Sequence, residues 1–361
     1  MVEPVEACLL GGPVEPIGPP GSQFLQPCEV TAVVPSGVGQ LVGPACVAEA
    51  VAEVGQVILS DVDCEGVGLI GHVRTVTGGR SHALIRLVRS SGVELKGARV
   101  LVTGGSRGIG AALASAYADA GALVVVVARS AEDLADVAER IGGTAHVADL
   151  SDPDVVDNLV AAVEFAHGPI DVLVNNAGIE TVDPVATVDP DSVRAAARVN
   201  LEAPMVLTRR VLPGMLDRNR GAIVFMSSLA GTAGFPGMGP YCATKAGLNN
   251  FAASLRIELK GTPVSTTLVA PGPVDTRMWD AVESASPSVQ RTNNRFQKLQ
   301  LIPETTPERL ARRVVAATAS GRRHVRHPRR LALNFWLGES PRRLTELLLT
   351  GVKIDPLDKV G

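Results

Sequence analysis

The chain has 361 residues, 46% of them hydrophobic and only 3% aromatic, and a formal net charge of −3. That length holds one large domain with an extension, or two modest domains, around a core built from Val, Ala, Leu and Ile. The near-balanced charge argues against a general nucleic-acid binder, and no stretch approaches the roughly 18 consecutive apolar residues of a membrane span.

Residues 1–92 differ in composition from the rest. They contain one aromatic residue (Phe24), no lysine, eight prolines, fourteen glycines and nine acids against four arginines. Their start is broken by Pro and Glu and lacks the basic opening of a secretory signal. Cys8, Cys28, Cys46 and Cys64 follow at spacings of 20, 18 and 18, which match no zinc pattern. We expect incidental thiols in a reducing cytoplasm. Short strand-like pieces occur at residues 56–59 and 82–88. Two readings stand for this Gly/Pro-rich stretch: a poorly structured N-terminal extension, or sequence upstream of a native start near Val93.

From residue 93 onward, apolar runs and helical patterns alternate. Residues 99–103 form a short apolar run that ends in a glycine-rich turn, followed by an Ala-rich helix over 109–120. A β-branched run at 123–127 predicts a strand buried on both faces. Strands are expected at 145–150, 171–175, 222–226 and 265–270, with helices over 153–167, 191–210, 241–259 and 307–320. This alternation predicts an α/β fold: a doubly wound, Rossmann-like parallel sheet with helices on both faces. The domain is expected to span 93–330, with an amphipathic tail over 331–361. Right-handed crossovers then bring the strand carboxyl ends to one edge, where ligands bind.

The turn TGGSRGIG, residues 103–110, has Gly104, Gly108 and Gly110 between a strand and a helix. These glycines allow a tight turn and close approach to a pyrophosphate, which the helix N-terminus favours. Arg129 and Ser130 follow the second strand, where an acid would select NAD and an arginine suits the extra phosphate of NADP. Arg107 adds a second guanidinium, so NADP (NADPH) is the expected cofactor.

Tyr241 and Lys245 stand four residues apart in YCATKAGLNNF, on one helix face, with Ser228 thirteen residues before Tyr241. A free phenol has a pKa of roughly 10. An ammonium beside it is expected to lower that value into a working range for proton transfer.

Together these residues resemble the short-chain dehydrogenase/reductase family, of NADP-preferring type, over about residues 95–276. TGGSRGIG is similar to its cofactor loop, NNAG at 175–178 to its strand-four motif, and Tyr241-x-x-x-Lys245 with Ser228 and Asn200 to its catalytic set. The resemblance implies that Tyr241 is the general acid or base at the substrate oxygen. Lys245 would tune Tyr241 and hold the nicotinamide ribose, Ser228 would bind the substrate oxygen, and Asn200 would anchor a water on the proton path. The implied cofactor contacts are Gly104, Ser106, Arg107, Gly108, Ile109, Gly110, Arg129, Ser130, Asp149, Leu150, Asn176, Ala177, Gly178, Tyr241, Lys245, Pro271, Gly272, Val274 and Thr276. No metal is implied. Gly105 stands where alanine is common in the family. A homodimer or homotetramer is implied, through the helix that begins at Tyr241.

Substrate choice is expected in the loops after Gly178, Ser228 and Thr276. Met278, Trp279, Val282, Phe296 and Leu299 read as the apolar underside of a lid, or as residues that complete the core. Residues 309–338 hold eight arginines, two histidines and no acid. This stretch is either a solvated face, a surface for the phosphates of an acyl carrier or coenzyme A, or a weak contact with an anionic membrane. The expected reaction interconverts a ketone and a secondary alcohol on a moderately apolar substrate. The alternatives are a 3-oxoacyl-thioester reductase of lipid metabolism and a non-catalytic NADP-binding scaffold.

Overall fold

A computed structural model describes residues 92–272, 274 and 305–327, together with the backbone of four short strands nearer the N-terminus. The chain divides into two units, residues 1–90 and 91–361. In the first, β1 (Ala50–Glu53) pairs antiparallel with β2 (Gln56–Leu59), and β3 (Leu69–His72) pairs antiparallel with β4 (Arg86–Arg89).

The second unit is organised by seven strands: β5 (Arg99–Thr103), β6 (Leu123–Ala128), β7 (Thr144–Val147), β8 (Val172–Asn175), β9 (Gly221–Met226), β10 (Val264–Pro271) and β11 (His324–His327). All neighbours pair in parallel, in the order β11-β10-β9-β8-β5-β6-β7. The chain leaves β5 toward β7 and then returns to β8 on the other side of β5. The order therefore reverses between β5 and β8, and a crevice opens at their carboxyl ends.

Period-two alternation distributes each strand between two cores. Val100, Val102, Val124 and Val126 face helices α1 (Gly108–Asp119), α2 (Ala131–Ile141) and α7 (Pro307–Ser320), meeting Leu113, Leu134 and Leu310. Leu101, Val125, Leu173 and Ile223 face α3 (Pro153–His167), α5 (Ala203–Asp217) and α6 (Gly239–Glu258), meeting Leu159, Leu207 and Leu248. The scarcity of aromatics is met by β-branched strand residues, which fill a sheet covered on both faces.

Four elements of the second unit depart from the sequence expectation. Helix α2 was not anticipated, although its signals are present. Ser130 caps its N-terminus by accepting from the Asp133 amide, Glu132 and Asp133 occupy the first turn, and Gly142 ends it at φ 61°. The single helix expected over 191–210 is instead α4 (Pro190–Ala197), a π-helical turn (Arg198–Glu202) and then α5. Strand β7 stops at Val147, because Asp149 folds back to accept from the Ser151 amide at 2.9 Å. Strand β11, drawn from the basic stretch, adds a seventh strand beside β10. Among the described residues, no helix is long and apolar enough to cross a membrane.

Helices α1 and α7 are joined by a buried bond between Tyr117 and Thr318, 2.7 Å apart. Thr318 Oγ1 donates to the Val314 carbonyl at 3.0 Å, so the Tyr117 hydroxyl is the donor in this pair. Tyr117→Phe keeps the ring and the Thr318–Val314 bond. It should lower stability by about 1 kcal/mol, and Tyr117→Ala by about 3–5 kcal/mol, as read from urea midpoints.

Candidate active site

The loop after β5 is fixed to the loop after β8 by one hydroxyl. Thr103 Oγ1 donates to the Val174 carbonyl at 3.2 Å and accepts from the amides of Asn176 and Ala177, each at 3.0 Å. Asn176 Nδ2 returns bonds to the carbonyls of Thr103 (2.9 Å) and Gly104 (3.2 Å). Contacts this close require glycine. Gly104 has φ +65°, and a Cβ there would lie 2.8 Å from Ala177 Cα; a Cβ on Gly110 would lie 1.9 Å from the Gly104 carbonyl oxygen. At Gly105 a Cβ would come within 2.8 Å of Val126 Cβ, so glycine in place of the family's usual alanine matches the tight packing on β6.

Arg107 occupies the N-cap of α1 without a side-chain capping bond. The first-turn N–H groups are therefore left for an anion, beside the exposed Arg107 and the half-buried Ser106 and Ile109. Arg129, at the carboxyl end of β6, is exposed and makes only a long contact of 4.0 Å with Asp149. Bonds from Ser151 hold the Asp149 carboxyl below its ordinary value, more than Arg129 does. Leu150 is buried next to it. This cradle fits a dinucleotide. The glycines leave room for its pyrophosphate, and an exposed guanidinium, that of Arg129, stands at the carboxyl end of β6.

The π-helical turn places Asn200 fully buried against the segment after β8. Its Oδ1 accepts from the Ile179 amide and its Nδ2 donates to the Ile179 carbonyl, both at 2.8 Å. Nδ2 also donates to Thr244 Oγ1 at 3.2 Å, which donates onward to the Tyr241 carbonyl at 2.8 Å. One amide thus ties β8, the π turn and α6 together. From the other side, Ser227 Oγ donates to Asn249 Oδ1, and Asn249 Nδ2 donates to the Gly231 carbonyl at 3.1 Å. This fixes the short 3-10 turn Leu229–Gly231, whose cap Ser228 accepts from the Ala230 amide at 3.2 Å.

Tyr241 and Lys245 are both buried on α6. Lys245 Nζ donates to the Met226 carbonyl at 2.9 Å and stands 5.7 Å from the centre of the Tyr241 ring. A Cβ on Gly178 would lie 3.4 Å from both Lys245 Nζ and Asn200 Oδ1. The electrostatics correct one expectation. Burial pushes the Tyr241 phenol well above its usual value and the Glu180 charge adds to this, while a hydrogen bond with Ser228 pulls the other way. The expected net lowering by Lys245 is not what the site produces. Burial also lowers Lys245 itself, to about 8, against the opposing charge of Glu180.

Glu180 was missed in the sequence. Burial raises its carboxyl to about 7, with Lys245 pulling it back. Its only signal was position, two residues beyond Gly178. Pro271 ends β10 buried, Gly272 follows half-buried, and Val274 makes a parallel bridge to Thr305. Thr276, the lid segment with Met278 and Trp279, and the tail over 331–361 lie outside the described residues.

The family model for short chain dehydrogenases matches residues 98–287. The chain belongs to this family of oxidoreductases. It is 38% identical to a short chain dehydrogenase of Pseudocercospora fijiensis over 203 residues, which cover 54% of this chain and 66% of that protein. It is 37% identical to the ketoacyl reductase HetN of a Nostoc species, over 62% of this chain and 76% of HetN. Among solved structures, a metagenomic short-chain oxidoreductase in complex with NADP is 36% identical, with a TM-score of 0.52. The match covers 64% of this chain and 98% of that one.

The raised Glu180 carboxyl has a consequence for stability. Folding moves its pKa from 4.5 to about 7, so the folded state holds the proton more tightly. The resulting stability is fully present below about 4.5 and is lost as pH rises through about 7. Glu180→Gln should therefore flatten the fall in melting temperature over this range, measured by thermal denaturation across pH.

Proposed function

We propose that the chain is an NADP-dependent oxidoreductase that interconverts a ketone and a secondary alcohol on a substrate with an apolar body. The observation that carries this is the placement of Tyr241 and Lys245, buried together on α6 beside Asn200 and Ser228. The glycine cradle after β5 lies on the same sheet edge. Gly104, Ser106, Arg107, Gly108, Ile109 and Gly110 would hold the pyrophosphate and Arg129 the adenosine phosphate. Asn176, Ala177, Gly178, Pro271, Gly272 and Val274 would line the nicotinamide side. When bound, the cofactor supplies or accepts the hydride.

The residues of the chain supply the rest. A phenol held high by burial is protonated at neutral pH, which is the state that reduction requires of Tyr241. Its hydroxyl gives its proton to the carbonyl oxygen, while Ser228 donates a hydrogen bond to the same atom as negative charge develops there. Lys245 keeps its ammonium up to about 8 and stabilises the tyrosinate left behind. Asn200 keeps this geometry by holding Ile179 and Thr244. The same proposal includes a cytoplasmic setting and a homodimer or homotetramer that packs through α6.

A second reading, a 3-oxoacyl-thioester reductase, is supported by exposed Arg309, Arg312, Arg322 and Arg323 on and after α7, which suit the phosphates of a carrier. Likeness to the FabG reductase of Escherichia coli, 31% identical over 192 residues, supports it too. A non-catalytic scaffold would need only the cradle, so the Asn200–Ser228–Tyr241–Lys245 set weighs against it. Tyr241→Phe should reduce NADPH-dependent turnover by about 10²-fold or more while NADPH binding, followed by fluorescence, changes little. Turnover that stays near wild type would refute the assignment of Tyr241.

A further inference from the structure

Glu180 takes no part in the steps above, yet it belongs to the same site. The segment Gly178-Ile179-Glu180-Thr181 leaves β8 alongside Lys245, since a Cβ on Gly178 would lie 3.4 Å from Nζ. Asn200 holds Ile179 by both its amide and its carbonyl at 2.8 Å, and Thr181 is buried on the far side. The backbone before Glu180 is therefore pinned, and the residue after it is buried. The Glu180 side chain is half-buried, but its Oε2 is shut off from water and has no hydrogen-bond partner among the described residues, and the same holds for Thr181 Oγ1.

A buried acceptor without a donor is costly, so one that persists in a folded protein calls for an explanation. Lys245 has N–H groups to spare, but the bond its ammonium makes is to the Met226 carbonyl and not to Glu180 Oε2. The charge of Glu180 nonetheless acts on both Lys245 and Tyr241, and Gly178, two residues before it, lies against Lys245 Nζ and Asn200 Oδ1. The missing donor is then best supplied by whatever enters the site.

We infer that Glu180 is a substrate-binding residue whose Oε2 accepts a hydrogen bond from a hydroxyl carried beside the reacting carbon. This rests on the oxidoreductase reading of the site and narrows it. The preferred substrates are hydroxy ketones in reduction and vicinal diols in oxidation, each with an apolar remainder. A plain ketone leaves Oε2 buried and unpaired in the complex, and a site built around a buried polar group discriminates strongly against an analogue that lacks the matching donor.

Matched pairs test this in the full chain with NADPH: acetoin against butanone, and benzoin against deoxybenzoin. Wild type should favour the hydroxy ketone of at least one pair by about tenfold or more in kcat/KM, chiefly through KM. In Glu180→Leu that preference should collapse. Glu180→Gln, which keeps the shape and an acceptor but no charge, should retain part of it and covers the case in which the leucine variant fails to fold. Equal use of both members by wild type, or an unchanged ratio in both variants, overturns the proposal and leaves the oxidoreductase reading in place. No NADPH oxidation with either pair, in protein that binds NADPH, has the same meaning. Failure of wild type to bind NADPH would overturn the oxidoreductase reading itself.

Discussion

An ammonium held out of water by its own fold is the constraint on which this site depends. Lys245 is 4% exposed and donates to a single backbone carbonyl, that of Met226. Such a group is costly to bury and shifts toward its neutral form, which is why its pKa falls to about 8. The surrounding structure offsets the cost without removing it, since Glu180 supplies opposite charge and the Met226 carbonyl supplies an acceptor. The result is a cation that remains beside Tyr241 at neutral pH and is weakly enough solvated by its surroundings to act on a ligand.

The elements around Lys245 make sense as the means of keeping it there. Strand β9 ends at Met226, so the sheet itself presents the carbonyl. The π-helical turn carries Asn200, whose single side chain reaches both the loop after β8 and Thr244 of α6. The Ser227–Asn249–Gly231 network holds the opposite wall. Thr103 then locks the glycine cradle to the same β8 loop, so the cradle and the Tyr241–Lys245 pair share one support. Precision of this kind suits chemistry in which a small displacement of the reacting atoms is expensive.

Much of this was legible in the sequence because the informative residues lie close together along the chain. The i,i+4 spacing of Tyr241 and Lys245 and the strand–glycine–helix order of residues 99–120 predicted their elements directly. Helix α7 matches the expected span of 307–320. What was missed depends on distant contacts or on geometry. The Asn200 region read as part of one long helix, because the apolar period passes through Arg198–Glu202 and nothing local marks the π turn. Helix α2 had its cap and its acidic first turn, but it is short and opens directly after Arg129 and Ser130 at the end of β6. The direction of the Tyr241 shift was wrong because the spacing shows that an ammonium is near and cannot show that the phenol is buried. Glu180 was invisible for the same reason, since only the folded loop reveals a half-buried acid whose charge acts on Lys245.

The central claim is that Lys245 contributes as a cation and not as packing. Lys245→Met tests it most directly, because methionine fills similar space and removes the charge that burial penalises. The account predicts a folded protein of equal or greater thermal stability, with NADPH affinity reduced about tenfold or more and turnover of any ketone that wild type accepts almost abolished. A folded variant that keeps wild-type turnover and NADPH affinity would contradict it.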